Sequence, residues 1–201
     1  MNEEFARNEL VSLCKRLYDR NLTVSAGGNM SIRIDKNEFL ITPSGRNKGA
    51  LLPEDMVKMD LEGGILSPGK PSMEREFHIA IYKDNPETQA IVHCHPLYCT
   101  ALAVKGEAVK SGLTPEGVIL LGNVPMIPYF TPGSAELADA VRSKSKHCAM
   151  LMERHGAITH GRTIEEAFNR MEELEFQARL QLIIGDATEL PQQEIKKLKE
   201  M

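Results

Sequence analysis

Apolar positions Phe5, Leu10, Cys14, Leu17 and Tyr18 recur with helical spacing and predict an amphipathic opening helix over residues 3–20. After Gly27 and Gly28 the period falls to two. Residues 30–34 alternate as a half-buried strand, and residues 38–42 follow as a hairpin partner across residues 35–37. Residues 57–61 alternate again and are closed by residues 62–64. The pattern turns helical over residues 74–83, with Phe77, Ile81 and Tyr82 on one side and Pro86 just beyond. Residues 90–95 read as a buried strand, and Pro96 suits the first turn of a helix running to about residue 105. A short strand-like piece lies within residues 124–129, punctuated by Pro125 and Pro128. Ser134 is placed to cap a helix over residues 134–143. Strand-like residues 149–153 and 157–159 flank His155 and Gly156. A long helix over residues 163–184 opens on a capping box of Thr163 and Glu166. No repeat interrupts this order. Adjacent alternating strands mixed with helices predict an α/β fold, a mainly antiparallel or mixed sheet covered by helices.

Length and composition narrow the classes without choosing a function. The 201 residues fit one domain, residues 1–201, with a sizeable core. Apolar residues at 42% and charged residues at 26% are globular rather than disordered composition. A net charge of −4 and the lack of a Lys/Arg cluster argue against nucleic acid as a partner. No apolar run approaches the roughly 20 residues that span a bilayer, so no membrane partner is expected. The opening residues lack the basic start and apolar stretch of a secretion signal. Four scattered cysteines (Cys14, Cys94, Cys99 and Cys148) do not make a disulfide scaffold, and a reduced, cytoplasmic protein is the simplest reading.

The candidate chemistry centres on His93 and His95, with His155 after the apolar run 149–152. Alternate side chains of a strand share a face, so a His-x-His pair presents two imidazoles together. Three neutral imidazoles suit zinc or a related divalent metal, leaving a fourth position for substrate. Taken singly, each histidine is as well explained by ordinary hydrogen bonding. His160 reads as a turn residue, while His78 lies within a helix and His147 in a charged loop, neither with a partner that suggests ligation. Cys94 should face away from the two histidines and behave as a small buried hydrophobe, since no second Cys/His pair completes a zinc knuckle.

Small, hydroxyl-bearing turns form a second theme. Residues 25–31 contain Gly28 and Asn29, residues 42–46 contain Ser44 and Gly45, and residues 70–74 contain Ser72, Met73 and Glu74. Taken by itself the first reads more simply as a plain turn before a strand, though the loops together could converge on one phosphate as an anion nest, and none is a P-loop. An acid at position 74 is explained by the dipole of the helix it opens, or more sharply as a general base beside a metal.

In order and spacing, Gly28-Asn29, Ser31, Thr42-Pro-Ser44-Gly45, Pro71-Ser72-Met73-Glu74, His93-Cys-His95 and His155-Gly156 together resemble the class II aldolase/adducin family, most closely its fuculose-phosphate aldolase members. The resemblance covers nearly the whole chain. It implies a three-layer α/β/α domain with a central, largely antiparallel sheet. It also implies one zinc or other divalent metal ion per subunit, held by His93, His95 and His155, with Glu74 as the acid/base that approaches the metal when substrate is absent. Gly28, Asn29, Ser44, Gly45, Ser72 and the backbone at Met73 would bind the substrate phosphate. The implied reaction is reversible cleavage of a ketose 1-phosphate to dihydroxyacetone phosphate and an aldehyde. A homotetramer with active sites at subunit boundaries is the implied assembly.

Two departures bear on the reaction. Met73 stands where the aldolases usually carry a second phosphate-binding serine. Glu116 lies where they carry a tyrosine, and the final residues carry no tyrosine either. A glutamate in this region is the acid/base of the related methylthioribulose-phosphate dehydratases, which makes dehydration an alternative. Pentulose-phosphate 4-epimerisation is another. A non-enzymatic, adducin-like module is disfavoured because all three histidines are present. Glu116 also reads simply as a solvated turn residue.

Overall fold

The computed structural model describes residues 1–200. Helix α1 (Glu3–Asp19) begins where the Asn2 side chain accepts from the Phe5 N–H, and Glu3 and Glu4 occupy its electropositive first turn. It buries Ala6, Leu10, Leu13, Cys14 and Leu17, one stripe of the helix. Strands β1 (Asn29–Arg33) and β2 (Glu38–Ile41) form the expected hairpin. Its turn is held by Asp35 Oδ1, which accepts from the N–H groups of Asn37 and Glu38. Strand β3 (Val57–Asp60) pairs with β2, and β4 (Ala90–Cys94) lies between β1 and β7 (Gly156–Gly161). Strands β6 (Ala149–Met152) and β5 (Met126–Ile127) complete a seven-stranded sheet in the order β3-β2-β1-β4-β7-β6-β5. All pairings are antiparallel except β5 with β6.

Two cores flank this sheet, so the fold is the expected three-layer α/β/α arrangement. On one face α1, α3 (Leu97–Lys105) and α6 (Ile164–Ile184) cover Met30, Ile32, Val92 and Cys94. On the other, α2 (Arg75–Asp84) and α5 (Ala135–Ser143) cover Phe39, Ile41, Ile91 and Ile158. Ser134 caps α5 by accepting from Leu137, as its position predicts. Thr163 caps α6 by accepting from the Glu166 N–H, but Glu166 returns its carboxylate to the Arg162 N–H rather than to that of Thr163. No described helix is long and apolar enough to cross a membrane.

Two helices escape the hydrophobic pattern. One is α4 (Pro115–Leu121), a short helix capped by Thr114, and the other is α7 (Gln192–Lys199), which buries no residue. Both are too short or too polar for periodicity to separate them from loop.

His160 is the clear correction. It is a buried residue of β7, not part of a turn, because β7 runs past residue 159 to pair with β4. Its ring is satisfied by Thr88 and by the carbonyls of Ser145 and His147, away from the other histidines.

Candidate active site

The end of β4 and the β6–β7 turn bring the three singled-out histidines together. One ring nitrogen from each of His93, His95 and His155 lies within 4.8 Å of the others. Two glycines make this closeness possible. A Cβ on Gly156 would meet the Cys94 carbonyl at 2.4 Å and the His95 ring at 2.7 Å. Gly28 adopts φ +69°, and a Cβ there would meet the His93 carbonyl at 2.4 Å. Cys94 points to the opposite face and joins the apolar core, where burial raises its thiol pKa. That matches a structural cysteine.

His93 Nδ1 lies 2.9 Å from the Ala157 carbonyl, which only accepts. Nδ1 therefore carries the proton, and Nε2 keeps its lone pair toward the cluster. His95 Nε2 lies 3.2 Å from it. Burial, reinforced by the neighbouring imidazoles, lowers the pKa of His95 to about 3 and that of His155 to about 4. Neutral rings with converging lone pairs are the donor set that a divalent cation needs.

Glu74 completes the site. It precedes α2 but caps nothing with its side chain, so the helix-dipole reading does not account for it. Its Oε2 lies 3.3 Å from His93 Nε2 and its Oε1 lies 3.5 Å from His155 Nε2. Burial alone would raise its pKa, yet the His93, His155 and Asn29 contacts prevail and bring it to about 2. Oε1 is buried without a hydrogen-bond partner. An orphaned carboxylate oxygen beside three imidazole nitrogens is donor chemistry that suits a divalent cation.

The three small loops also converge. Ser44 N–H donates to Lys70 O and Ser72 N–H to Thr42 O, around a bridge between Pro43 and Pro71. Gly45 takes φ +72°. Ser72 Oγ accepts from the Glu74 N–H, and Met73 is exposed beside the Gly133 backbone. Asn29 donates from Nδ2 to Glu74 Oε2 at 2.9 Å, which commits one of its two amide hydrogens within the protein.

Lys48 went unnoticed in the pattern. Only 2% exposed, it donates to the carbonyls of Ala26 and Arg46 and so ties the first loop to the second, while burial lowers its pKa. Also missed were Ser31, His78 and Tyr82, which are linked behind Asn29. Their signal was available: Glu74, His78 and Tyr82 are spaced by four on one helix, and Asn29 and Ser31 by two on one strand. Glu116 is not brought to the histidines within one chain. It is exposed in the first turn of α4, which packs on α6 and α7, and no hydrogen bond or ion pair joins it to the cluster among the described residues.

Residues 8–182 match the model of the class II aldolase and adducin N-terminal domain. The chain belongs to this family. A curated relative, the 3-oxo-tetronate 4-phosphate decarboxylase of Pectobacterium atrosepticum, is 39% identical over 92% of this chain and 87% of its own length. The L-fuculose phosphate aldolase of Methanococcus maripaludis is 38% identical over 89% of this chain and 97% of its own. Among solved structures, YgbL of Escherichia coli aligns with TM-score 0.93 and 34% identity over 98% of this chain and 99% of that one. An L-fuculose 1-phosphate aldolase aligns with TM-score 0.90 and 29% identity over 98% of this chain and 95% of that one. This member of the family is therefore an enzyme, and the two curated relatives above are named a decarboxylase and an aldolase.

Proposed function

We propose that this enzyme is a lyase that generates the enediolate of dihydroxyacetone phosphate and protonates it at carbon through Glu74. The observation that carries this reading is the single buried carboxylate at the imidazoles, with one oxygen anchored by Asn29 and the other unpaired. His93, His95 and His155 hold one divalent cation per subunit, zinc being the ordinary choice for such a set. When bound, that cation supplies a Lewis acid for the substrate's carbonyl oxygen.

Decarboxylation of 3-oxo-tetronate 4-phosphate is the reaction best matched. The substrate is a β-keto acid. As CO2 leaves, the pair from the C1–C2 bond enters a C2–C3 double bond and the charge moves to the C3 oxygen. Glu74 rests as a carboxylate, so it takes up a proton from water and passes it to C2, giving dihydroxyacetone phosphate. This chemistry needs one proton transfer at one carbon. The N–H and hydroxyl groups of loops 25–31, 42–46 and 70–74 hold the phosphate, with Gly28, Asn29, Ser44, Gly45, Ser72 and Met73 as the candidate contacts.

Aldol cleavage of a ketose 1-phosphate, such as fuculose 1-phosphate, is the second reading, favoured by the aldolase relatives. It forms the same enediolate but requires a further group to take the hydroxyl proton of the departing aldehyde. Glu116 serves there only if a neighbouring subunit presents it, as the homotetramer implied by the resemblance would allow. Parallel assays of the two substrates for dihydroxyacetone phosphate, CO2 and aldehyde separate the readings. We expect dihydroxyacetone phosphate and CO2 from the first substrate, abolished by chelator. Dihydroxyacetone phosphate and aldehyde from the second substrate, with no CO2 from the first and with the activity lost in Glu116→Gln, select the second. Failure of both substrates to yield dihydroxyacetone phosphate refutes the common step.

A further inference from the structure

Behind the Glu74 carboxylate runs a line of buried polar groups that the packing of α2 on β1 does not require. Glu74 Oε2 accepts from Asn29 Nδ2, and Asn29 Oδ1 lies 2.5 Å from His78 Nε2. His78 Nδ1 lies 2.7 Å from Ser31 Oγ, and Ser31 Oγ lies 2.8 Å from the Tyr82 hydroxyl. All five residues are buried, with Ser31 and His78 at 0% exposure. The far end is anchored, because Arg33 donates to the Tyr82 carbonyl and lies over its ring.

The position of every proton follows from the two ends. An ionised carboxylate only accepts, so Asn29 must turn Nδ2 toward Glu74 and Oδ1 toward His78. His78 must then carry its proton on Nε2, which leaves Nδ1 to accept. Ser31 spends its one hydroxyl hydrogen on Nδ1, and its oxygen accepts from Tyr82. Donation thus runs in one direction along the chain, from Tyr82 through Ser31 into the imidazole at Nδ1 and out of it at Nε2 through Asn29 to Glu74. Were the His78 proton on Nδ1, Nε2 and Asn29 Oδ1 would face each other as two acceptors. Burial favours the neutral ring that this arrangement needs.

We infer that His78 is a positioning residue for the reaction proposed above: by donating from Nε2 it locks the Asn29 amide, which pins Glu74 Oε2 and leaves Oε1 as the oxygen that exchanges protons with the substrate carbon. The inference rests on that proposed reaction for its consequence and on the hydrogen-bond chain for its geometry. Without the lock the Asn29 amide is free to flip and set an acceptor against the carboxylate. Glu74 then swings, and the aim of Oε1 is lost while the substrate-binding loops remain in place.

Two substitutions separate positioning from simple packing. Glutamine can place an amide N–H where the imidazole Nε2–H stands, whereas asparagine's shorter amide overlies Nδ1 and cannot reach Asn29. His78→Gln is expected to keep kcat within about threefold, and His78→Asn to lower it ~10–100-fold, the usual cost of losing an outer partner of a metal-site residue, with KM little changed. Equal losses in the two variants, tracking their melting temperatures, would reduce His78 to a structural role. A second readout needs neither activity nor folding of a variant. Nitrogen-15 shifts of the wild-type imidazoles should show His78 protonated on Nε2 at neutral pH, and protonation on Nδ1 overturns the inference. If the wild type cleaves neither substrate, the reaction falls while the tautomer measurement still decides the chain of hydrogen bonds.

Discussion

The two faces of the sheet are built from the same strands yet do different work. Along β4, Ala90, Val92 and Cys94 enter the core under α1, α3 and α6, while Ile91 enters the core under α2 and α5 and His93 meets Phe77 of α2 edge-on. Along β1, Met30 and Ile32 pack on the first side, and Asn29, Ser31 and Arg33 make their hydrogen bonds with the α2 side. The first face is almost wholly apolar, and the second threads a polar chain through its packing. A period of two thus lets one strand contribute rigidity to one layer and chemistry to the other, with no residue asked to do both.

Replacing groups on each face should therefore have separable effects. The largest is expected from Glu74→Gln, which should lower turnover ~10²–10⁴-fold while metal content and melting temperature stay near wild type; unchanged turnover would remove Glu74 from the mechanism. On the opposite face, Leu102→Ala empties a fully buried position of α3 and should cost about 2–5 kcal/mol in denaturant unfolding. Its kcat should hold wherever the variant remains folded, and a large loss of kcat there would break the division between faces. An effect of comparable size, spread over several pH units, concerns acid. Burial depresses the folded pKa of His78 to about 3, against an unfolded value of ~6.5. As pH falls through ~6.5 the unfolded chain takes up this proton first, so stability drops progressively toward pH 3. His78→Gln should flatten the pH dependence of metal-free unfolding by about 1.4 kcal/mol per pH unit in that window; an unaltered slope would show that His78 is not held neutral. Least of all, Cys94→Ala should change stability by about 1 kcal/mol and leave metal binding intact, and metal loss would place the sulfur in the site after all.

Much of this was legible in the residues. Alternation located the strands, and Ser134 and Thr163 capped the helices where their positions indicated. Strand geometry pairs His93 with His95, and the family resemblance adds His155, which the structure brings to them. What was not legible depends on contacts between elements distant in sequence. Nothing near His78 in the sequence marks its role, because its partners Asn29 and Ser31 lie 49 and 47 residues away. His160 passed for a turn because Gly161 follows it, whereas pairing with β4 carries the strand through both residues. Lys48 carries no sign in its neighbours that its ammonium will be buried. Short α4 and polar α7 lack the apolar stripe by which a helix announces itself.

The tight seating of Gly28 and Gly156 against the end of β4 also bears on how this enzyme could change its reaction. Neither position can accept a side chain without displacing the end of β4, where His93 and the following His95 are held, so the core of the site is closed to gradual drift. Exposed Met73 and Glu116 carry no such restriction. Selection for a new leaving group therefore has most of its freedom at the rim. Two relatives at nearly equal distance, one named a decarboxylase and the other an aldolase, are what such freedom at the rim would allow.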